Sequence, residues 1–145
     1  MRVALNKCQN HSKMARNTTK ILIGTAFGLM AMGCSNNDNR DLAAEAAKSY
    51  YDSLMSGGYA YYVDGFLTAD SIPSAYREQL IVNAKQYVHE AKEAHHGIND
   101  IRIVGSKVDS LTKTTNVFLM LCFGDSVNEE VVVPMIESNG VWLMK

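Results

Sequence analysis

The chain has 145 residues, 47% of them hydrophobic, with 14 basic and 15 acidic side chains and a formal charge of −1. That length and composition suit one domain with its own core. The absence of a basic excess argues against a nucleic-acid footprint, and three cysteines are too few for a disulfide scaffold.

The first element is the apolar run Ile21 to Gly33, 13 residues ending at Cys34. As a helix it would span roughly 20 Å, short of a hydrocarbon core of about 30 Å. Gly24 and Gly28 weaken it further as a stable helix. It has the length of a signal-peptide core. Arg2, Lys7, Lys13, Arg16 and Lys20 precede it and no acidic residue does, the asymmetry that an export signal needs. Met14 offers a second start that keeps this pattern. The stretch "MAMGC" resembles a bacterial lipobox, with small Ala31 and Gly33 before Cys34 and Ala31 standing where the pattern prefers Leu. The alternative is an ordinary secretory signal with a coincidental cysteine. The lipobox implies cleavage of residues 1–33 and a diacylglycerol thioether, usually with a further N-acyl chain, on Cys34. Two or three acyl chains hold a domain on a membrane where one binds only marginally. Ser35 in place of Asp implies an outer-membrane address, and "SNNDN" bears a weak resemblance to the surface-export signals of Bacteroidetes lipoproteins. Removing residues 1–33 takes five basic residues and no acidic one, so the remaining 112 residues carry a formal charge of −6.

Residues 34–40 read as the lipidated cysteine and a polar tether, with Asp38 or Asn39 as a helix cap. From Asp41, residues Ala43, Ala46, Ala47, Tyr50 and Leu54 recur at helical spacing, and Gly57-Gly58 ends that helix. "YAYYVDGFLTAD" reads as a brief second helix or an irregular segment with a turn at Asp64-Gly65. A strong helix follows, capped by Ser71, with Pro73 in its first turn and Gly97 as its stop. Its stripe is Tyr76, Leu80, Ala84, Tyr87, Val88 and Ala91. From Ile98 the period becomes extended: "IRIVGSKV" with a bulge at Gly105, "TNVFLMLCF", "NEEVVVPMIE" and "VWLMK". Asn139-Gly140 is a two-residue hairpin signal, Gly124-Asp125-Ser126 a second turn, and Pro134 marks an edge or a bulge.

Helices followed by an antiparallel meander of about four strands make an α+β layer, with the helices on one face of a curved sheet. This order resembles the nuclear transport factor 2-like, or cystatin-like, superfamily. It is similar in particular to small lipoproteins of gut Bacteroidetes in a lumazine-binding-like subgroup. The lipobox, "AAKSYYDSLMSGGYAYY", "TNVFLMLCFGDS" and "VVVPMIESNGVWLMK" carry the resemblance, which covers nearly all of a single domain over residues 41–145. It implies a lipid-anchored envelope domain, more often non-enzymatic, that binds a small apolar ligand or a protein partner and has no cofactor. The other readings are a small cavity enzyme of lyase or isomerase type and a structural module of a surface complex.

Four groups are candidate sites. Asp64 among Tyr59, Tyr61, Tyr62 and Phe66 would serve as a base if apolar surroundings raised its pKa; otherwise it opens an Asp-Gly turn. His89, Glu93 and His96 share a helical face and are weak metal candidates, since Glu93 stands where an HExxH pair has its second His. A solvated polar face is the bland reading. Tyr50, Tyr62, Phe66, Tyr76, Tyr87 and Trp142 are candidates to line a ligand pocket, or are simply core. Cys122 reads as a buried inert thiol. The strand Val117 to Phe123 is apolar on both faces, which leads to the expectation of a homodimer packed through the sheet.

Overall fold

A computed structural model describes residues 37–145. The signal peptide, the lipobox and Cys34 lie outside the described residues. The element order is α1 (Asn37–Met55), α2 (Tyr59–Asp64), a single 3-10 turn (Ala69–Ser71), α3 (Ser74–His95), then β1 (Ile98–Asp109), β2 (Thr114–Phe123), β3 (Asn128–Ser138) and β4 (Val141–Met144). The strands form one antiparallel sheet in the order β1-β2-β3-β4. Among the described residues no helix is long and apolar enough to cross a membrane.

The meander follows from local turn chemistry. Asn139 and Gly140 both adopt positive φ, 52° and 79°, the two left-handed positions of a two-residue hairpin, and Ser138 pairs with Val141 across it. The register of β1 against β2 shifts between Ile103 and Gly105, a bulge where the sequence placed one. Pro134 lies opposite Asn116 within β3, and its carbonyl accepts from the Lys145 N–H at 2.9 Å. The neighbouring strand therefore runs out where proline has no proton to give.

Two expected helix starts are corrected. The first helix begins at Asn37, so residues 37–40 belong to α1 and not to a tether, and Asp38 and Asn39 lie inside it. Ser71 does not cap α3: its Oγ donates to the Thr68 carbonyl at 2.9 Å, and Pro73 holds the cap position with no side-chain bond. At the other end His96 takes the left-handed conformation, followed by Gly97 at φ +82°.

The core lies between α1 and the inner face of the sheet. Ala43, Ala47 and Tyr50 of α1 pack with Val117, Leu119 and Leu121 of β2 and with Val133 and Met135 of β3. α1 can approach this closely because its contact residues are alanines. The Tyr50 hydroxyl donates to the Trp142 carbonyl at 3.0 Å. The Tyr50 ring needs Gly65, where a Cβ would sit 2.5 Å from Tyr50 Cε1. The exit of α2 is strapped to β4: Leu67 N–H donates to the Met144 carbonyl at 2.8 Å, and Met144 N–H to the Gly65 carbonyl at 2.7 Å. That strap fixes the orientation of Tyr62 and Phe66.

The outer face is more polar than β2 alone suggested. Arg102 and Glu130 flank Met120, and Asp100 and Asn128 flank Cys122; Phe118 has Gly105 and exposed Val132 beside it. Cys122 is buried and disulfide-bonded, which corrects the expected inert thiol.

Candidate functional site

The candidate site is a groove along the inner face of α3. Its first part is a cavity of about 220 Å³ lined by Leu54, Tyr62, Val63, Phe66, Leu80, Asn83, Ala84 and Tyr87. The second part, of about 240 Å³, runs to the end of α3, where Tyr87 is joined by Glu90, Ala91, Ala94, His95, Phe123 and Glu129. Tyr87 borders both. Each is smaller than the roughly 300–1,000 Å³ of common ligand pockets, and the two adjoin at Tyr87.

An aromatic chain forms the wall. Tyr51 and Tyr62 meet edge to face at 5.5 Å between ring centres, as do Tyr62 and Phe66. The Tyr51 and Tyr62 hydroxyls are hydrogen-bonded to each other. Burial, and then the charge of neighbouring Tyr62, pushes the Tyr51 phenol well above its ordinary pKa. Burial likewise raises Tyr62 and Tyr87, and the Glu129 carboxylate adds to the shift at Tyr87. These phenols stay neutral; Tyr62 and Tyr87 line the cavities, and Tyr51 packs on Tyr62 without lining either.

The far end is polar. His95 Nδ1 lies 2.7 Å from Asp125 Oδ2, and its ring lies 5.0 Å from that of Phe123. Val127 N–H donates to the other carboxylate oxygen of Asp125 at 3.0 Å. The hydrogen bond with His95, and then that from Val127, holds the Asp125 carboxyl below its usual range. An imidazole oriented in this way through Nδ1 by a carboxylate is suited to hydrogen bonding or proton transfer at its other nitrogen.

Of the six expected pocket residues, the fold brings Tyr62, Phe66 and Tyr87 together in the groove. Tyr50 is core. Tyr76 is 55% exposed near the start of α3. Trp142 borders a separate cavity of about 440 Å³ with Lys113, Thr115 and Glu137. The reading of Asp64 as a base in an apolar pocket is corrected. Asp64 is half exposed and chelated by Arg77, at 2.6 and 2.7 Å, and those bonds lower its pKa. His89 and Glu93 are exposed on α3, and His96 lies beyond its end. Among the described residues no group of three His, Cys, Asp or Glu side chains is placed to hold a metal.

His95 and Glu129 were not anticipated, yet both carry a sequence signal. His95 continues the α3 stripe one turn beyond Ala91. Glu129 keeps the two-residue period of Val131, Val133 and Met135, and its register partner is fully buried Leu121.

No family model matches the sequence, and no curated protein matches it. Among solved structures, a chain from Campylobacter jejuni described as an NTF2-like transpeptidase superposes with a TM-score of 0.56 at 16% identity. The match covers 76% of this chain and 97% of the other. The chain has the NTF2-like fold. At that identity the likeness concerns architecture alone.

Proposed function

We propose that this NTF2-like domain is a lipid-anchored envelope protein that binds a small, largely apolar molecule in the α3 groove. One observation carries the binding reading: two neighbouring cavities that share Tyr87, one with an apolar and aromatic lining and the other with polar groups gathered in it. Binding is preferred over a cavity enzyme of lyase or isomerase type for an electrostatic reason. Glu90 and Glu129 border the cavity beside His95. They oppose the negative charge that develops when a proton is taken from carbon beside a carbonyl.

The anchor rests on the sequence around Cys34, with an outer-membrane address from Ser35. The resemblance to Bacteroidetes lipoproteins and to a lumazine-binding-like subgroup belongs to the same reading. Cells given a clickable fatty acid label the wild type and not Cys34→Ser; equal labelling overturns the anchor.

The ligand is sought by mass spectrometry of small molecules that co-purify with membrane-extracted protein. The expected result is a molecule present with the wild type and depleted by Ala84→Met, which fills the groove. No enrichment over an unrelated lipoprotein overturns the binding reading.

A further inference from the structure

We infer that the groove selects molecules with an apolar body and a cationic end, the body lying along Leu54, Phe66 and Ala84 and the cation at the end lined by Glu90 and Glu129. The inference rests on the groove being a binding site and adds the chemical class of its occupant.

The two ends differ in kind. The α2 end is bordered by Leu54, Tyr62, Val63, Phe66, Leu80 and Ala84, with Asn83 the one amide. Two carboxylates and an imidazole border the α3 end. Neither cavity has a lysine or arginine among its described lining residues. The imidazole is held by Asp125, a third carboxylate, at 2.7 Å. Glu90 accepts from Gln86 at 2.8 Å, a neutral partner that leaves its charge uncompensated. Glu129 is on the inner face of β3 by register, opposite Leu121, so its carboxylate belongs to the groove side of the sheet.

A cation there meets negative charge and has the rings of Tyr87 and Phe123 within the same lining, surroundings that suit an alkylammonium wherever it can sit over a ring face. An anion meets like charge at the same place. Because Glu129 is exposed, a bound ammonium keeps part of its water and avoids the penalty of full burial. The selectivity is therefore moderate and sensitive to salt. The apolar end sets a second condition, since a small hydrophilic cation gains nothing from the wall of Phe66 and Leu80.

The test is calorimetric titration of the full chain with hexylamine, hexanol and hexanoate, probes of equal length that differ in end group. The expected order is amine, alcohol, carboxylate, with about tenfold or more between the first and the last at low salt. Changing both Glu90→Gln and Glu129→Gln is expected to bring the amine to the affinity of the alcohol while leaving the alcohol unchanged. Equal affinity for all three, a preference for hexanoate, or an amine preference that survives the double change overturns the inference. In those cases binding of the alcohol still supports the groove as a site. Failure of all three probes to bind overturns both.

Discussion

Tyr51 shows how one side chain connects the core to the groove. It stands on α1, half-buried, with its hydroxyl bonded to that of Tyr62 and the Glu129 carboxylate within electrostatic reach. Burial is the main reason its phenol resists ionisation. Its pKa is raised in the folded state, so the sign of the linkage is fixed: the folded chain holds a proton that the unfolded chain releases near 10.0. Stability from this source is intact below that pH and declines as the pH rises above it. Tyr62 and Tyr87 shift in the same direction and add to the decline. Tyr51→Phe is expected to lose about 0.5–1.5 kcal/mol at neutral pH through the missing hydroxyl bond. It is also expected to flatten the alkaline fall, measured as urea midpoints at stepped pH. An unchanged alkaline slope would remove Tyr51 as its source. Asp64 makes the opposite point. A turn aspartate in an aromatic stretch read as a buried base, but Arg77, 13 residues away, neutralises it at the surface. That pairing depends on how α2 and α3 cross, which no local pattern reports.

At the scale of elements, the strands were more legible than the helix ends. Asn139-Gly140 fixes a hairpin because few residues tolerate two successive positive φ values, so the dipeptide carries its geometry with it. A helix start can be set by several competing caps, and Ser71 bonded back to Thr68 in place of capping α3. The α3 stripe was read correctly at Ala84 and Ala91, which are buried, and ended too early, before His95. Leu80 is also on the stripe, but it borders the groove and is half-buried. This separates two substitutions that a helical-wheel argument treats alike. Leu119→Ala, at a position with no exposed surface, is expected to cost about 2–5 kcal/mol. Leu80→Ala is expected to cost about 1 kcal/mol, in proportion to the smaller area withdrawn from water. It should weaken groove ligands more than it weakens the fold. Chemical denaturation of the two variants checks the order, and a Leu80 variant as unstable as the Leu119 variant would place Leu80 in the core.

On the scale of the whole molecule, α1 covers one face of the sheet, and among the described residues the other face carries Phe118, Met120 and buried Cys122 from β2. Strand β2 is apolar on both faces, and from that strand alone the outer face looks bare. The neighbouring strands change this. Arg102 and Glu130 stand on either side of Met120, and Arg102 is paired with Asp100 at 2.6 Å. What remains apolar centres on Phe118, with Val132 and Val104 exposed nearby. We propose a second copy of this chain as its occupant, for a reason of symmetry. A two-fold axis lying along β2 between two facing sheets sets β1 of each copy over β3 of the other. Arg102 of one protomer then meets Glu130 of its partner, around a Phe118 contact shared by both. The patch is small, so the dimer is expected to be weak and its on-rate salt-dependent. Sedimentation of residues 35–145 at micromolar concentration should show monomer and dimer in exchange. Phe118→Glu should leave only monomer. Exchanging the charges one at a time should weaken the dimer, and Arg102→Glu together with Glu130→Arg should restore it. A monomer at every concentration, or a dimer indifferent to Phe118→Glu, overturns the arrangement.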